Sequence, residues 1–353
     1  MNNNSKSFYG FCKLLLCILC MMQFKVMVAQ QNAPSLFDTS YYESYPDKLT
    51  GRFYLSKKYT ALTLEAPPGM SDLKYNPNTT LNLGVGATYK FFTLNLAYGF
   101  GFLNPESGKG KTKYLDLQCY FYTPKWTVDL FGEFYKGYYL AAKVFNLPPG
   151  YYYKRPDIRI NMIGAAAYRN LNDKKFSFRA SLVQTDWQKK SAGSVLIGGQ
   201  IFYGVTKGDS AFVPVNFTDQ YNQGGVNSVR FVVFGPGAGY AYTLVLMRNF
   251  FITGSVVVNA DFAYSTESGN QIKGNRFSFA PNFNYRVAIG YNTPTWSINA
   301  TQVGNQLGIN VASSADRYLL NTGNYRLIYA YRFSPGPKLR EKLLPLDRLF
   351  DKK

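Results

Sequence analysis

Three acidic side chains have the type and spacing that could support acid–base chemistry. Asp129 and Glu133 lie four residues apart in an alternating segment that places both on one side of a strand, and Asp116 precedes them in a similar segment. Paired carboxylates can act as general acid and general base. A structural network is the alternative, since buried charges are normally paired. We favour the network.

Arginines occupy matching positions in other alternating segments. With the three acids and Asp261, they form a set that we expect to line the interior of the fold: Arg159, Arg179, Arg276, Arg286, Arg326, Arg332, Asp116, Asp129, Glu133 and Asp261. Arginine keeps its charge at ordinary pH. Because arginines outnumber acids in this set, the sequence predicts an electropositive interior that favours anions.

Histidine is absent from the chain. Catalysis that uses imidazole as the base is therefore excluded, which disfavours Ser–His and Asp–His hydrolases. Zinc and copper sites are also disfavoured, because these metals prefer cysteine and histidine. Cys119 lies on an apolar face between Leu117 and Phe121 and is interpreted as a small hydrophobic residue. We predict a protein without enzymatic activity, cofactor or metal.

The first 29 residues are typical of a secretory signal peptide. Lys6 and Lys13 accompany an apolar stretch, and the expected cleavage follows Ala29. Removing Lys6, Lys13 and Lys25 lowers the formal charge from +19 to +16. Cys12, Cys17 and Cys20 are lost with this segment, so the mature chain keeps Cys119 alone and has no internal disulfide.

The remaining sequence is aromatic and weakly charged, with 17% aromatic and 17% charged residues. No apolar run reaches the ~20 residues that a membrane helix needs. Apolar residues instead alternate with small or polar ones, as in Leu81–Tyr89, Ile158–Met162, Phe176–Leu182 and Arg276–Ile289. This alternation is typical of strands that face lipid on one side. It predicts that Leu83, Leu94, Leu130, Phe279 and Ile289 face outward.

The connections predict an all-β fold, a closed antiparallel transmembrane β-barrel in the outer membrane. Short turns near positions 90, 124, 172, 248 and 293 alternate with longer connections, as in outer-membrane barrels. We expect about 12 strands, with 14 or 10 as alternatives. The predicted regions are a signal peptide (1–29), an N-terminal periplasmic segment (30–50), the barrel (51–333) and a basic, Pro-containing periplasmic tail (334–353). An aromatic girdle is expected beside the short turns: Tyr89, Phe91, Tyr122, Trp126, Phe250, Phe251, Tyr291 and Trp296.

Several motifs resemble a Bacteroidota outer-membrane family known as domain of unknown function 4421. They are Phe37–Tyr42, Leu55–Tyr59, Tyr75–Asn78, Leu83–Lys90 and Gly235–Tyr242. The resemblance covers nearly all of the mature chain. It implies an outer-membrane location and a barrel fold, and it brings no catalytic residues.

The leading functional hypothesis is a pore or channel for small anionic solutes. The runner-up is a closed structural or interaction barrel that binds lipopolysaccharide or a periplasmic protein involved in envelope assembly. A histidine-independent enzyme acting on lipid or glycan is third. We expect outer-membrane lipid to surround the protein. Lysines and arginines are spread along the chain without a nucleic-acid module, so we predict no nucleic-acid partner.

Overall fold

The computed structural model describes residues 37–90, 92–141, 148, 150–270, 272–312 and 316–350. The predicted signal peptide and residues 30–36 lie outside the described residues. One compact unit, Asp38–Phe333, contains all of the strands, and a second contains the helix α1 (Pro337–Phe350). No helix in the described ranges is long and apolar enough to cross a membrane.

The main unit is all-β. Its strands are β1 (Tyr42–Ser44), β2 (Leu49–Leu64), β3 (Leu73–Tyr75), β4 (Asn82–Tyr89), β5 (Phe92–Tyr98), β6 (Lys113–Asp116), β7 (Cys119–Tyr122), β8 (Trp126–Ala141), β9 (Tyr152–Asn170), β10 (Asp186–Gln188), β11 (Ala192–Lys207), β12 (Val226–Leu246), β13 (Phe250–Gly269), β14 (Lys273–Asn292), β15 (Trp296–Ile309) and β16 (Tyr318–Phe333). β1 and β10 form a small sheet. The other strands form one 14-stranded antiparallel sheet.

The large sheet runs from β5 through β4, β2 and β16, then down the chain order to β8 and β6. Side chains from distant strands meet on one of its faces, as Asp129 of β8 and Arg286 of β14 do. The sheet therefore curls, and we call this face the inner face. Turns at 90, 123–125, 247–249 and 293–295 lie at one end, the turn end. The opposite end is the loop end.

The prediction of a closed barrel is wrong, because within the described residues no backbone pairing joins β5 to β6 or β7. β6 and β7 are four residues long each and are interrupted at Leu117–Gln118. Side chains bridge this seam near the loop end: the hydroxyls of Tyr114 and Thr80 lie 2.6 Å apart, and Lys58 donates to Asp116 over 2.9 Å. Short, broken strands offer too little backbone for a continuous ladder, so the seam remains open.

The outer face of the sheet is apolar over most of its length. On β13 the exposed outward residues include Ile252, Val256 and Val258, while their neighbours on the inner face are buried. Phe279 and Ile289 of β14 are more than half exposed, on the face that alternation predicts for them. Large exposed apolar surfaces of this kind mark contact with lipid or protein.

Inside the loop end, the inner face is apolar as well. Leu64, Leu73, Ile160, Phe212 and Tyr318 are buried together there. This core reverses the prediction for the first half of β9: Ile158, Ile160 and Met162 point inward, and Arg159 is exposed on the outer face. Alternation alone cannot tell which face is enclosed when both faces adjoin apolar surroundings.

A second error of prediction concerns residues 171–191, which connect β9 to β11 at the turn end. A short turn near 172 and a strand through Phe176–Leu182 were expected. The segment instead contains a π-helical turn (Arg179–Val183) and β10, and Phe176 and Phe178 are buried. The strand that pairs with β9 lies further along the chain and is β11. Its glycines interrupt the alternation of apolar and polar residues; they are Gly193, Gly198, Gly199 and Gly204. We call residues 171–191 the inserted connection, because its backbone bonds with inner-face side chains.

A bulge in β8 sets which side chains reach the inner face at the loop end. Gly137 has φ +93°, and the register with β9 shifts between Lys136 and Tyr138. A Cβ at Gly137 would lie against the carbonyl oxygen of Lys111. At this irregularity Tyr135 and Tyr138 both point inward while Lys136 stays outside.

Replacing Gly137 with alanine should lower the free energy of unfolding by about 1–3 kcal/mol, because an L-residue is strained at positive φ. Urea unfolding in detergent micelles, followed by tryptophan fluorescence, measures the change. Gly254→Ala is the matched control, because a Cβ there has nothing within 4 Å. Equal effects at the two glycines would contradict the role given to the bulge.

Candidate functional site

The centre of the inner face holds a buried ion pair. Arg286 of β14 donates to Asp129 of β8, which joins opposite walls of the curled sheet, and both residues are buried. The Arg286 guanidinium also lies 5.8 Å from the ring of Phe178 in the inserted connection. Strand alternation places both charges inward, since residues 127, 129, 131 and 133 of β8 all face inside.

Beside this pair, amides and a hydroxyl form a continuous hydrogen-bond network. Asn284 donates to the Tyr168 hydroxyl over 2.6 Å and to Gln200 over 2.7 Å. Tyr168 in turn donates to Asn259 over 2.8 Å. Four strands are tied together through these contacts. Networks of this kind rigidify a buried polar interior.

Asp261 of β13 accepts hydrogen bonds at one carboxylate oxygen from Gln200 and Asn282, the latter over 2.7 Å. Among the described residues no cation forms an ion pair with it, and it is fully buried. Donors on β11 and β14 therefore replace the cation that a buried carboxylate usually has.

A second acidic group lies on the inner face beside the seam. Glu133 accepts from Thr60 over 2.7 Å and from Gln118 over 3.1 Å. Asp116 accepts from Lys58 over 2.9 Å and from the Tyr135 hydroxyl over 2.6 Å. These bonds connect β2, β6 and β8, so the acids hold the two sides of the seam together. The arrangement supports the structural network that the sequence favours.

At the turn end, two arginines of the sheet bind the inserted connection. Arg332 of β16 donates to the carbonyls of Gln184 over 2.6 Å and Asp186 over 3.1 Å. Arg52 of β2 donates to the Gln184 side chain over 3.0 Å and to the Val183 carbonyl. These carbonyls lie at the end of the π-helical turn, where backbone oxygens lack helical partners and attract cations.

Asparagines complete the attachment of the inserted connection. Asn292 donates to the carbonyls of Ala180 and Asp186, and Asn299 donates to the carbonyl of Ser181. Asp186 also pairs with Arg179 at 3.2 Å. The connection is thus held by side chains of β2, β14, β15 and β16.

Of the ten residues predicted to line the interior, eight are at least partly enclosed and two lie elsewhere. Arg286, Arg332, Asp116, Asp129, Glu133 and Asp261 lie in the interior clusters described above. Arg179 is also enclosed, although it belongs to the inserted connection and not to a strand. Arg326 is half-buried beside the rings of Tyr54 and Tyr120.

Two arginines lie elsewhere. Arg159 points outward and pairs with the exposed Asp209 at 3.6 Å. Arg276 is exposed at the loop end, where it donates to the carbonyl of Val311 over 2.8 Å. The remaining four arginines equal the four acids of the set in number, so the positive surplus expected from these ten residues is not inside the sheet.

Sequence reasoning missed Arg52, Lys58, Gln184 and Asp186. Arg52 and Lys58 follow the inward parity of β2, in which Arg52, Tyr54 and Ser56 are buried, and that parity was the signal available. Gln184 and Asp186 gave no signal, because their role depends on the path of the inserted connection.

The loop end is held by an ion pair outside the strands. Arg317 contacts both carboxylate oxygens of Glu65, at 3.0 and 2.7 Å, and the two backbones also bond. Hydrogen bonds from Arg317 lower the pKa of the Glu65 carboxyl below its usual range. The contact joins the end of β2 to the start of β16.

Among the described residues, the interior charges of Arg286, Asp129, Asp261 and Glu133 are paired or hydrogen-bonded. In the described part of the chain, no three His, Cys, Asp or Glu side chains are placed to hold a metal ion. Cys119 is exposed on the outer face of β7. The lack of enzymatic activity stays a prediction.

Replacing Arg286 with methionine should cost about 3–5 kcal/mol of unfolding free energy, because Asp129 is left buried without its cation. The double variant Arg286→Met with Asp129→Leu should lose less than the single variant, since no unpaired charge remains. Urea titrations of the wild type, both single variants and the double variant form the complete cycle. Additive losses would mean that the pair has no coupling.

Comparison with solved structures finds outer-membrane proteins at low similarity. The outer membrane protease OmpT from Escherichia coli is 9% identical, with 86% of this chain and 100% of that chain covered and a TM-score of 0.40. The translocator domain of the autotransporter NalP from Neisseria meningitidis is 8% identical, with 91% and 98% covered and a TM-score of 0.35. At these scores neither likeness supports an inference about this chain.

No curated protein matches the sequence. A family model, described as domain of unknown function (DUF4421), matches residues 37–333. The matched residues include the whole of the strand-bearing unit, Asp38–Phe333. The match confirms the family resemblance drawn from the motifs. The chain belongs to the DUF4421 family.

Proposed function

We propose that this protein spans the outer membrane and serves there as a non-conducting interaction protein. The observation that carries the proposal is the inserted connection, which Arg52 and Arg332 hold against the inner face at the turn end. An enclosed segment of this kind favours a filled interior over the anion channel that the sequence alone put first. An origin in Bacteroidota stays a prediction of the resemblance.

The outer face supports a membrane location. Its exposed residues are apolar along several adjacent strands, as with Val256, Ile289 and Leu327. At the turn end, aromatic rings pack across strands. The centroids of Phe250 and Tyr291 lie 4.7 Å apart in an edge-to-face contact, and those of Tyr291 and Trp296 lie 5.2 Å apart in a stacked contact. Aromatic belts are characteristic of the membrane–water interface.

Both ends of the interior are occupied, which supports the lack of conductance. The inserted connection lies at the turn end, and the apolar core with Leu64, Phe212 and Tyr318 lies at the loop end. Between them, Asp261, Glu133 and Tyr168 are fully buried. In this middle region Arg286, Asp129, Asp261 and Glu133 have polar partners, and Arg326 lies against the rings of Tyr54 and Tyr120, so few charges remain to attract a passing anion.

The interaction role is supported at the two ends of the sheet order. In lipid, unpaired backbone groups on a strand edge are costly, and β5 and β7 both end the sheet without pairing to each other. Exposed edges are places where another chain can add a strand. The turn end also presents exposed polar residues of the inserted connection and of the segment bonded to it, among them Ser40, Lys174 and Lys190, which suit a periplasmic partner.

A charge placed in the middle of the apolar outer face tests the location. Val256→Arg should cost about 2–4 kcal/mol in a lipid-bound preparation, and Tyr264→Arg, nearer the loop end of the same strand, about 0–1 kcal/mol. Both positions are exposed and outward. Unfolding in lipid vesicles gives the two values. Similar costs at the two depths would count against a membrane-spanning β13.

Planar-bilayer recordings test the conducting state directly. The purified wild-type protein should give no stable current steps, because the inserted connection and the apolar core fill both ends of the interior. The double variant Arg52→Gln, Arg332→Gln should give none either, because the apolar core at the loop end remains in place. Stable anion-selective steps in the wild type would restore the channel hypothesis.

A further inference from the structure

Four cations lie side by side on the outer face near the loop end. In the strand register, Lys113 of β6 pairs with Lys136 of β8, Lys136 pairs with Arg159 of β9, and Arg159 pairs with Lys207 of β11. All four side chains are exposed. Directly opposed residues share a face and have Cβ atoms about 5 Å apart. We call these residues the basic row.

The basic row is poorly neutralised by the protein itself. Among the described residues, Arg159 is the member of the row that forms an ion pair, with Asp209 at 3.6 Å, and both side chains are exposed. Like charges directly opposite each other destabilise a sheet. A row of four cations across adjacent strands therefore raises the energy of the protein alone and lowers it when anions bind along the row.

The bulge at Gly137 directly follows the row on β8. It turns Tyr138 inward, while the register of Lys136 with Arg159 continues unbroken from Trp126. More cations lie beyond the row. Lys154 is exposed, and the ammonium of Lys109 lies 5.6 Å and 5.5 Å from the rings of Tyr139 and Tyr152.

The level of the row matches the outer membrane surface. Trp126 begins β8 at the turn end and pairs with Arg169. From position 126 to position 136 the strand advances about 33 Å at ~3.3 Å per residue. With the usual barrel-strand tilt near 40°, this spans about 25 Å, the height of the apolar band of an outer-membrane protein. The row thus lies where lipid headgroups meet the outer edge of that band.

Apolar side chains continue from the row toward the turn end. Leu115 follows Lys113 on the outer face of β6, Phe134 precedes Lys136 on β8, and Val205 precedes Lys207 on β11. A ligand with closely spaced anionic groups and attached hydrocarbon chains fits both parts of this surface. A free phosphate compound would leave the apolar part without a contact.

We propose that the basic row binds the phosphate groups of a phosphorylated outer-leaflet glycolipid, with Lys136 and Arg159 as the central contacts. The inference rests on the proposed outer-membrane location. Arg159 offers a planar fork that suits phosphate oxygens, and the lysines add point charges on either side. The lipid thereby neutralises the repulsion within the row.

Binding of bisphosphorylated lipid A to the full-length protein in nonionic detergent tests the proposal. Lys136→Gln with Arg159→Gln should weaken binding about 25-fold, or about fivefold for each charge removed. Lys57→Gln with Lys273→Gln is the matched control, because both residues are exposed lysines outside the row. Asp209→Asn should strengthen binding, because it removes the acid paired with Arg159. Equal affinity of the row variant and the control would overturn the site.

The source of the phosphate is tested with two further probes. Lipid A freed of its phosphates should bind the wild type and the row variant equally weakly. Inorganic pyrophosphate should bind far more weakly than lipid A, and pyrophosphate binding of the same strength would overturn the lipid assignment. An acidic peptide that binds through the row as tightly as lipid A would likewise overturn it in favour of a protein ligand.

Thermal stability gives a second readout, measured without and with lipid A. Without lipid A, Lys136→Gln should raise the midpoint of thermal unfolding, because it relieves repulsion. Added lipid A should then raise the midpoint of the variant less than it raises the midpoint of the wild type. No stabilisation of the wild type by lipid A would overturn the proposal. These measurements are made in detergent, so membrane fractionation reports separately on the location.

Discussion

The attachment of the inserted connection to Arg52 and Arg332 is the interaction on which the interior depends. The two guanidinium groups sit on β2 and β16, which pair with each other along their whole lengths. They bind backbone carbonyls that would otherwise be buried without donors, and an unsatisfied buried polar group costs ~1–3 kcal/mol. This contact brings Phe178 against Tyr122 and under the Arg286 guanidinium. The ion pair of Arg286 with Asp129 is thereby shielded on the turn-end side.

The division of the inner face into three layers follows from what each layer must satisfy. Apolar residues fill the loop end, paired charges and amides fill the middle, and the inserted connection occupies the turn end. Charges in the middle layer meet partners on opposite walls, because the curled sheet brings β8 close to β14. Charges without such partners, including Lys136 and Arg159, lie on the outer face. The same alternation that encloses one set of cations therefore displays the other.

Much of the strand content could be predicted from the sequence. On β4 and β14, regular alternation identified the strands and outward residues such as Leu83 and Phe279, since a period of two fixes which side chains share a face. The family resemblance rested on local motifs and was confirmed. Alternation failed where both faces of a strand are apolar, as on the first half of β9, and where glycines interrupt it, as on β11. It also mistook Phe176 and Phe178 for strand residues, because a few alternating residues suit a buried turn equally well.

The sequence by itself determined an all-β chain with one apolar face, a strongly basic charge, and no histidine for imidazole chemistry. These properties depend on composition and on neighbours a few residues apart. Only the tertiary structure decided that the sheet stays open at β5 and β7, that residues 171–191 enter its interior, and that Lys113, Lys136, Arg159 and Lys207 share one row. Each of these depends on register between strands far apart in the chain, and pairwise backbone bonding is specified by the assembled sheet and not by any single segment.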